Sequence, residues 1–300
     1  MSSIQACLMR FIRFIARQDC SLASSLALLL AAGQPLAAAE LVRLGGQAEQ
    51  GGLMIFSCAP GCSAWLDEAP LFIDTAGRFV IGFHRDDSQP RQLRISWPDG
   101  KQESRLITAA PRRYKIQRID GLPEKFVTPA EAVLARIRAD ADRVRRARQQ
   151  MTEQDDFIRH GFDWPAAGRI TGIYGSQRIL NGQPRQPHYG IDIALPSGTK
   201  VRAAAAGRVV LAADLYFTGW TVILDHGHGV SSTYSHLQKA AVTSGQQLPR
   251  GAVLGLSGST GRSTGPHLDW RINWLDKRLD PQKITGRPAD WPVDATEIAD

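Results

Sequence analysis

The chain of 300 residues is poor in cysteine, methionine and aromatic side chains, with four Cys, four Met and 7% Phe, Trp and Tyr. Two of the cysteines, Cys7 and Cys20, lie within the first 39 residues, so the remainder holds only Cys58 and Cys62. No second Cys or His pair sits near those two, which argues against a zinc clip. Collagen-like and low-complexity stretches are absent, and no apolar run suits a multi-span membrane protein. The helical zinc motif His-Glu-x-x-His is missing. No Gly-x-Ser-x-Gly elbow is read between a strand and a helix, which leaves Ser-His-Asp catalysis a weak alternative. No nucleic-acid-binding motif accompanies the formal charge of +7.

What is present is an ordinary globular balance, 43% hydrophobic and 22% charged. Residues 1–39 read as an address. Arg10, Arg13 and Arg17 form a positive segment, Leu22 to Ala32 is apolar, and Ala37-Ala38-Ala39 offers a small-residue cleavage site. A cleaved secretory signal is expected, with an uncleaved anchor as the alternative and no stable span in the mature chain. Cys20 lacks the preceding pattern of a lipidation site. Loss of this segment removes three Arg and one Asp and lowers the formal charge from +7 to +5. That excess suits an anionic partner such as a wall polymer, or merely a solvated surface. Export places Cys58 and Cys62 where disulfides persist, and the Ala-Pro-Gly between them suits a small loop. A local disulfide is expected, and two free thiols are the alternative.

The fold class is mainly β, in five segments: 1–39 the signal, 40–120 a small β-sandwich, 121–155 a helical linker, 156–290 an antiparallel β domain, and 291–300 a tail. Leu53 to Phe56, Ala64 to Leu66, Phe79 to Phe83, Gln92 to Ile95 and Tyr114 to Ile116 are strand candidates between turn signals. Thr128-Pro129-Ala130-Glu131 is a capping box that opens a helix with Val133, Leu134, Ile137, Ala141 and Val144 on one face. Its arginines, from Arg136 to Arg148, are expected to be a solvated face or a polymer contact. From Trp164 onward, glycine-punctuated strand candidates follow one another, among them 208–212, 220–224, 231–234 and 268–274.

Three segments here concentrate metal-binding residue types: His188-Tyr189-Gly190-Ile191-Asp192, Tyr234-Ser235-His236-Leu237 and Gly265-Pro266-His267-Leu268-Asp269. A regular strand holds His188 and Asp192 roughly 13 Å apart, too far for one metal, and Gly190 between them permits a bend or bulge that brings both side chains together. The strand period puts His267, Asp269, Arg271 and Asn273 on one face and Leu268, Trp270, Ile272 and Trp274 on the other. Tyr234 falls on the His236 side by the same rule, more for packing than for chemistry. His226 and His228 read as a structural turn, and neither His84 nor His160 has a visible catalytic partner. The insert 176–187 reads as a polar loop that walls a groove or contacts substrate carboxylates, with a mobile surface loop without specificity as the alternative.

These motifs resemble the LytM/lysostaphin-type peptidoglycan endopeptidases over residues 164–281. The resemblance implies an antiparallel β fold and zinc in an open groove. It makes His188 and Asp192 metal ligands and His236 and His267 catalytic. The family's last motif is usually His-Leu-His, and here its final position, the third ligand, is Asp269. Asp269 either ligates the metal or pairs with Arg271; ligation is favoured because the other four residues are in place. The function implied is a secreted, zinc-dependent endopeptidase cutting peptide cross-links of bacterial peptidoglycan in the periplasm or envelope, with His267 as base. Its alternatives are a degenerate wall-binding or hydrolase-activating regulator and a peptidase acting on another peptide. Peptidoglycan is the expected partner and nucleic acid is not; the sequence is silent on oligomeric state.

Overall fold

The computed structural model describes residues 40–119, 133–180 and 182–285. The expected signal, the capping box at 128–131, Asn181 and the tail lie outside the described residues. No described helix is long and apolar enough to cross a membrane.

The N-terminal part is built from two antiparallel sheets. One orders Val42–Gly46, Leu53–Ser57 and Arg78–Gly82. The other orders Ala69–Pro70, Ser63–Leu66, Arg91–Ser96 and Gln102–Ile107. Alternating Phe79, Ile81, Leu93 and Ile95 fill the space between them. Cys58 and Cys62 are joined across the Ala-Pro-Gly loop, with Cα atoms 6.3 Å apart.

The C-terminal part is one ten-stranded sheet. Its main path runs Gln247–Leu248, Gly207–Leu215, Gly219–Asp225, Val230–Ala240, His267–Trp274, Ile191–Ala194 and Arg169–Gly172, with every neighbour antiparallel. Leu268, Trp270 and Ile272 are fully buried on one face, and Trp274 is 5% exposed. The opposite face carries the polar series and holds the candidate site. His226 lies in the hairpin at one end. Its Nδ1–H donates to Ala206 O and its Nε2 accepts from Ser232 Oγ. Burial pushes this imidazole down to about 4, so it is a neutral structural histidine.

Helix Leu134–Arg148 lies against Gly207–Leu215, with Val144 and Ala147 packed on Leu211, Ala213, Leu215 and Ile223. It therefore covers the polar face of the sheet. One of its arginines departs from the solvated stripe: Arg148 turns inward and donates from Nη2 to Thr233 Oγ1 at 3.1 Å. Residues 144 and 148 share a helix face, so the side that buries Val144 also buries Arg148.

The insert 176–187 is not a free loop. Gln177–Leu180 pairs with Gln183–Pro184 and, in parallel, with Ile116–Ile119, the strand that leaves the N-terminal sheets. The two halves share more than this ribbon, because the buried side chains of both belong to a single continuous core.

Candidate functional site

Asp192 and Asp269 are direct partners across two antiparallel strands. Like charges in that position repel unless a cation lies with them. His188 joins them from just before the Ile191–Ala194 strand, its backbone held by two bonds to Gly175-Ser176, His188 N–H to Ser176 O and Gly175 N–H to His188 O. His188 Nε2 then lies 3.3 Å from Asp192 Oδ1. The bend that this needs is made at Gly190, which tolerates no side chain. A Cβ there would stand 2.7 Å from Asp269 Oδ1 and Trp270 O and 2.6 Å from Arg271 Cγ. Gly190→Ala is expected to displace Asp269, lower stability by about 1–3 kcal/mol and abolish metal uptake. Melting and metal content of the purified variant check this, and a normal metal content would refute it.

His188, Asp192 and Asp269 present ligand atoms all within 4.8 Å of one another. His188 Nε2 and Asp192 Oδ1 are buried without a hydrogen-bond partner, as expected of atoms waiting for a cation. One imidazole nitrogen and two carboxylates are an accepted donor set for a divalent metal such as zinc. The residues present fit the metal that the resemblance implies. Burial alone would depress the His188 imidazole, but the close approach of Asp192 and the charge of Asp269 outweigh it and raise the pKa.

Asp269 does two things at once. It faces this cluster, and it also pairs with Arg271, whose Nε lies 2.9 Å from Oδ1 and whose Nη2 donates to Oδ2. Ligation and pairing with Arg271 are thus compatible, because each carboxylate oxygen has two lone pairs. Burial pushes the Asp269 carboxyl up, but Arg271 prevails and holds it well below the usual carboxylate range.

The two remaining histidines stand beside the cluster. His267 Nε2 is 3.8 Å from Asp192 Oδ1, and the His236 and His267 rings are 4.7 Å apart. Both rings are tied at Nδ1, His236 to Thr260 O and His267 to Gly265 O, each at 2.8 Å. Those carbonyls can only accept, so each Nδ1 carries the proton and each Nε2 is left to face the site. One loop, 258–265, therefore orients both imidazoles, and no sequence motif announces this because its carbonyls do the orienting. Burial lowers the His236 pKa despite its Thr260 bond and the Asp269 charge.

His236 reaches the polar face by breaking the strand rule. It adopts a positive φ of 61°, and the pairing with Gly219–Asp225 slips there. A bulge of this kind re-aims a side chain next to a site. Tyr234 consequently lies on the opposite face, fully buried, with its hydroxyl between Ala204 N and Ser232 Oγ. The placement expected from strand period is corrected: Tyr234 packs and does not border the site.

Gly261-Arg262-Ser263-Thr264-Gly265 does spell Gly-x-Ser-x-Gly, but it lies in the loop before His267–Trp274 and no helix follows. Ser263 Oγ and His267 Nδ1 both donate to Gly265 O. The imidazole nitrogen near Ser263 therefore has no lone pair with which to activate it.

Residues 186–281 match the model of Peptidase family M23. A solved Pseudomonas aeruginosa protein assigned to peptidase M23 superposes with a TM-score of 0.61 at 27% identity, covering 80% of this chain and 96% of that one. The peptidoglycan DD-endopeptidase ShyA of Vibrio cholerae is 43% identical over 105 residues, 35% of this chain and 24% of that protein. The murein hydrolase activator EnvC of Escherichia coli is 37% identical over 124 residues, 41% of this chain and 29% of that protein. The chain thus matches only about a quarter of the length of these curated relatives. Residues 186–281, which carry all five candidate site residues, thus form a segment that matches peptidase family M23.

Proposed function

We propose that this chain is an exported, metal-dependent endopeptidase that hydrolyses peptide cross-links of bacterial peptidoglycan. The observation that carries the proposal is the convergence of His188, Asp192 and Asp269 into one donor cluster, with His236 and His267 alongside. The match to a DD-endopeptidase over 105 residues supports the substrate class.

His188, Asp192 and Asp269 would hold zinc, which when bound polarises a carbonyl and acidifies water. The charge of a second carboxylate would weaken that effect. Arg271 offsets it, because the Asp269–Arg271 pair is neutral overall and stands in for a neutral third ligand. His267 accepts a proton at Nε2 from the attacking water and passes it to the leaving amine. His236 donates to the developing oxyanion from Nε2 once solvent has protonated it there, a form that burial makes the minor one near neutral pH.

The test incubates the full chain with cross-linked muropeptides and zinc and counts the dimers that remain. Chelator-sensitive loss of dimers is expected. His267→Ala should keep its metal and lose about 100- to 10,000-fold in turnover; unchanged turnover would remove His267 from the mechanism.

A second reading, a non-catalytic regulator, is favoured by one observation. Asp269 is already engaged by Arg271, and one relative is named as a hydrolase activator. Bound metal with intact dimers would select it.

A further inference from the structure

The polar face of the sheet does not end at the metal cluster. Along His267–Trp274 the next two outward positions after Asp269 are Arg271 and Asn273. Arg271 is the cross-strand partner of Thr233, and Asn273 is the partner of Ser231 on one side and of Arg278 on the other. Helix Leu134–Arg148 reaches the same place, where Arg148 Nη2 bonds Thr233 Oγ1 at 3.1 Å. Arg278 Nη1 bonds Asn273 Oδ1 at 3.3 Å. Three guanidinium groups from a helix and two strands thus gather on adjacent rows of one face.

This gathering is short of negative charge. Asp269 serves Arg271, whereas Arg148 and Arg278 have only the neutral acceptors Thr233 and Asn273, and among the described residues neither forms an ion pair. Arg148 Nε and Ser231 Oγ are buried without a partner. Unsatisfied donors of this kind are costly until an acceptor arrives. Burial, and then the charges of Arg278 and Arg271, drives the Arg148 guanidinium well below its usual range. Burial and Arg271 bring Arg278 down to about 10. The guanidinium groups disfavour one another's charge, a strain that an anion would relieve.

We propose that Arg148, Arg271 and Arg278 form an anion subsite that takes a carboxylate of the substrate peptide. The proposal rests on the hydrolase reading above for its substrate. Successive outward positions on a strand are about 7 Å apart, so the trio lies roughly two to four extended residues of peptide from the metal ligands. Arginine forks match carboxylate geometry, and Arg148 and Arg278 each hold N–H donors beyond their one neutral bond and have no carboxylate partner. The same arrangement gives the helix a role that its position as a connector does not suggest. It supplies a wall of the groove, and Arg148 is its contribution to binding.

The test separates binding from turnover. The metal-free full chain is titrated calorimetrically with N-acetyl-dialanine and with its C-terminal carboxamide. The acid should bind at least about tenfold more tightly than the amide. Arg148→Gln and Arg278→Gln should each erase that preference, while Arg278→Lys should keep part of it. Both Gln variants should retain the melting temperature and metal content of the parent. In turnover of muropeptide dimers they should raise KM and leave kcat within about threefold. Acid-selective binding that is lost in the variants, with no dimer cleavage by any form, would uphold the subsite and reject the hydrolase reading. Equal binding of acid and amide, a preference that survives both substitutions, or equally tight uptake of inorganic phosphate would overturn the subsite.

Discussion

A fragment of residues 152–300, freed of everything before it, is expected to lose cooperative unfolding, whereas the full chain melts in a single sharp transition. The N-terminal sheets are not a tethered accessory. Gly82 of Arg78–Gly82 sits so close to the C-terminal domain that a Cβ on it would lie 2.9 Å from Trp274 and 3.0 Å from Leu279. Phe72 meets His228 edge-on at 5.2 Å. Arg85 Nε donates to Gly175 O, next to the segment that carries His188. Asp280, 1% exposed, accepts an ion pair from Arg112 at 2.9 Å, and its N–H donates to Gly51 O. Truncation uncovers Trp274 and Leu279, each worth about 1.5–3 kcal/mol when buried. It also strips a buried carboxylate of its partner, a further cost of about 3–5 kcal/mol. These losses rival the roughly 5–15 kcal/mol that holds a whole domain together. The fragment should bind a hydrophobic dye and melt broadly. A sharp transition within a few degrees of the full chain would show that the two halves are independent. The same fragment lacks helix Leu134–Arg148, so a failure to cleave wall peptides would say nothing about the metal cluster.

The parts of this molecule that were legible in sequence are those governed by local period. The series Leu268, Trp270, Ile272 and Trp274 is buried and His267, Asp269, Arg271 and Asn273 share the other face, as the two-residue repeat requires. The bend at Gly190 was legible for a similar reason, since a straight strand keeps His188 and Asp192 apart. Three things were not. The bulge at His236 reverses the face of Tyr234, and nothing in Tyr-Ser-His-Leu marks a positive φ at a histidine. The strand Gln102–Ile107 is largely exposed and lacks apolar alternation, and in Val42–Gly46 the alternation of Val42 and Leu44 is cut short by Gly45-Gly46, so both form by pairing with neighbours. The inward turn of Arg148 was hidden among the arginines around it, because sequence gives a helix face but not what it faces.

The same limit applies to Asp269, where sequence presented ligation and pairing with Arg271 as rivals. If the pair acts together as a neutral ligand, restoring the family's usual residue by Asp269→His should not restore a usual site. The new imidazole would be neutral, and Arg271 would be left without its carboxylate, a bare cation beside a divalent metal. Even at an effective dielectric constant of about 20, one positive charge about 5 Å from a dication costs several kcal/mol. Metal affinity of Asp269→His should therefore fall by at least about 100-fold relative to the parent, close to that of Asp269→Ala. Adding Arg271→Met removes the stranded cation at similar volume. The double variant Asp269→His/Arg271→Met should recover at least about tenfold in affinity over Asp269→His alone. Competition against a chromophoric chelator measures all four proteins. If Asp269→His alone holds metal as tightly as the parent, Arg271 does not balance Asp269. If the double variant is no better than the single, the loss lies in geometry, and the carboxylate is needed for its reach between the two strands and not for its charge.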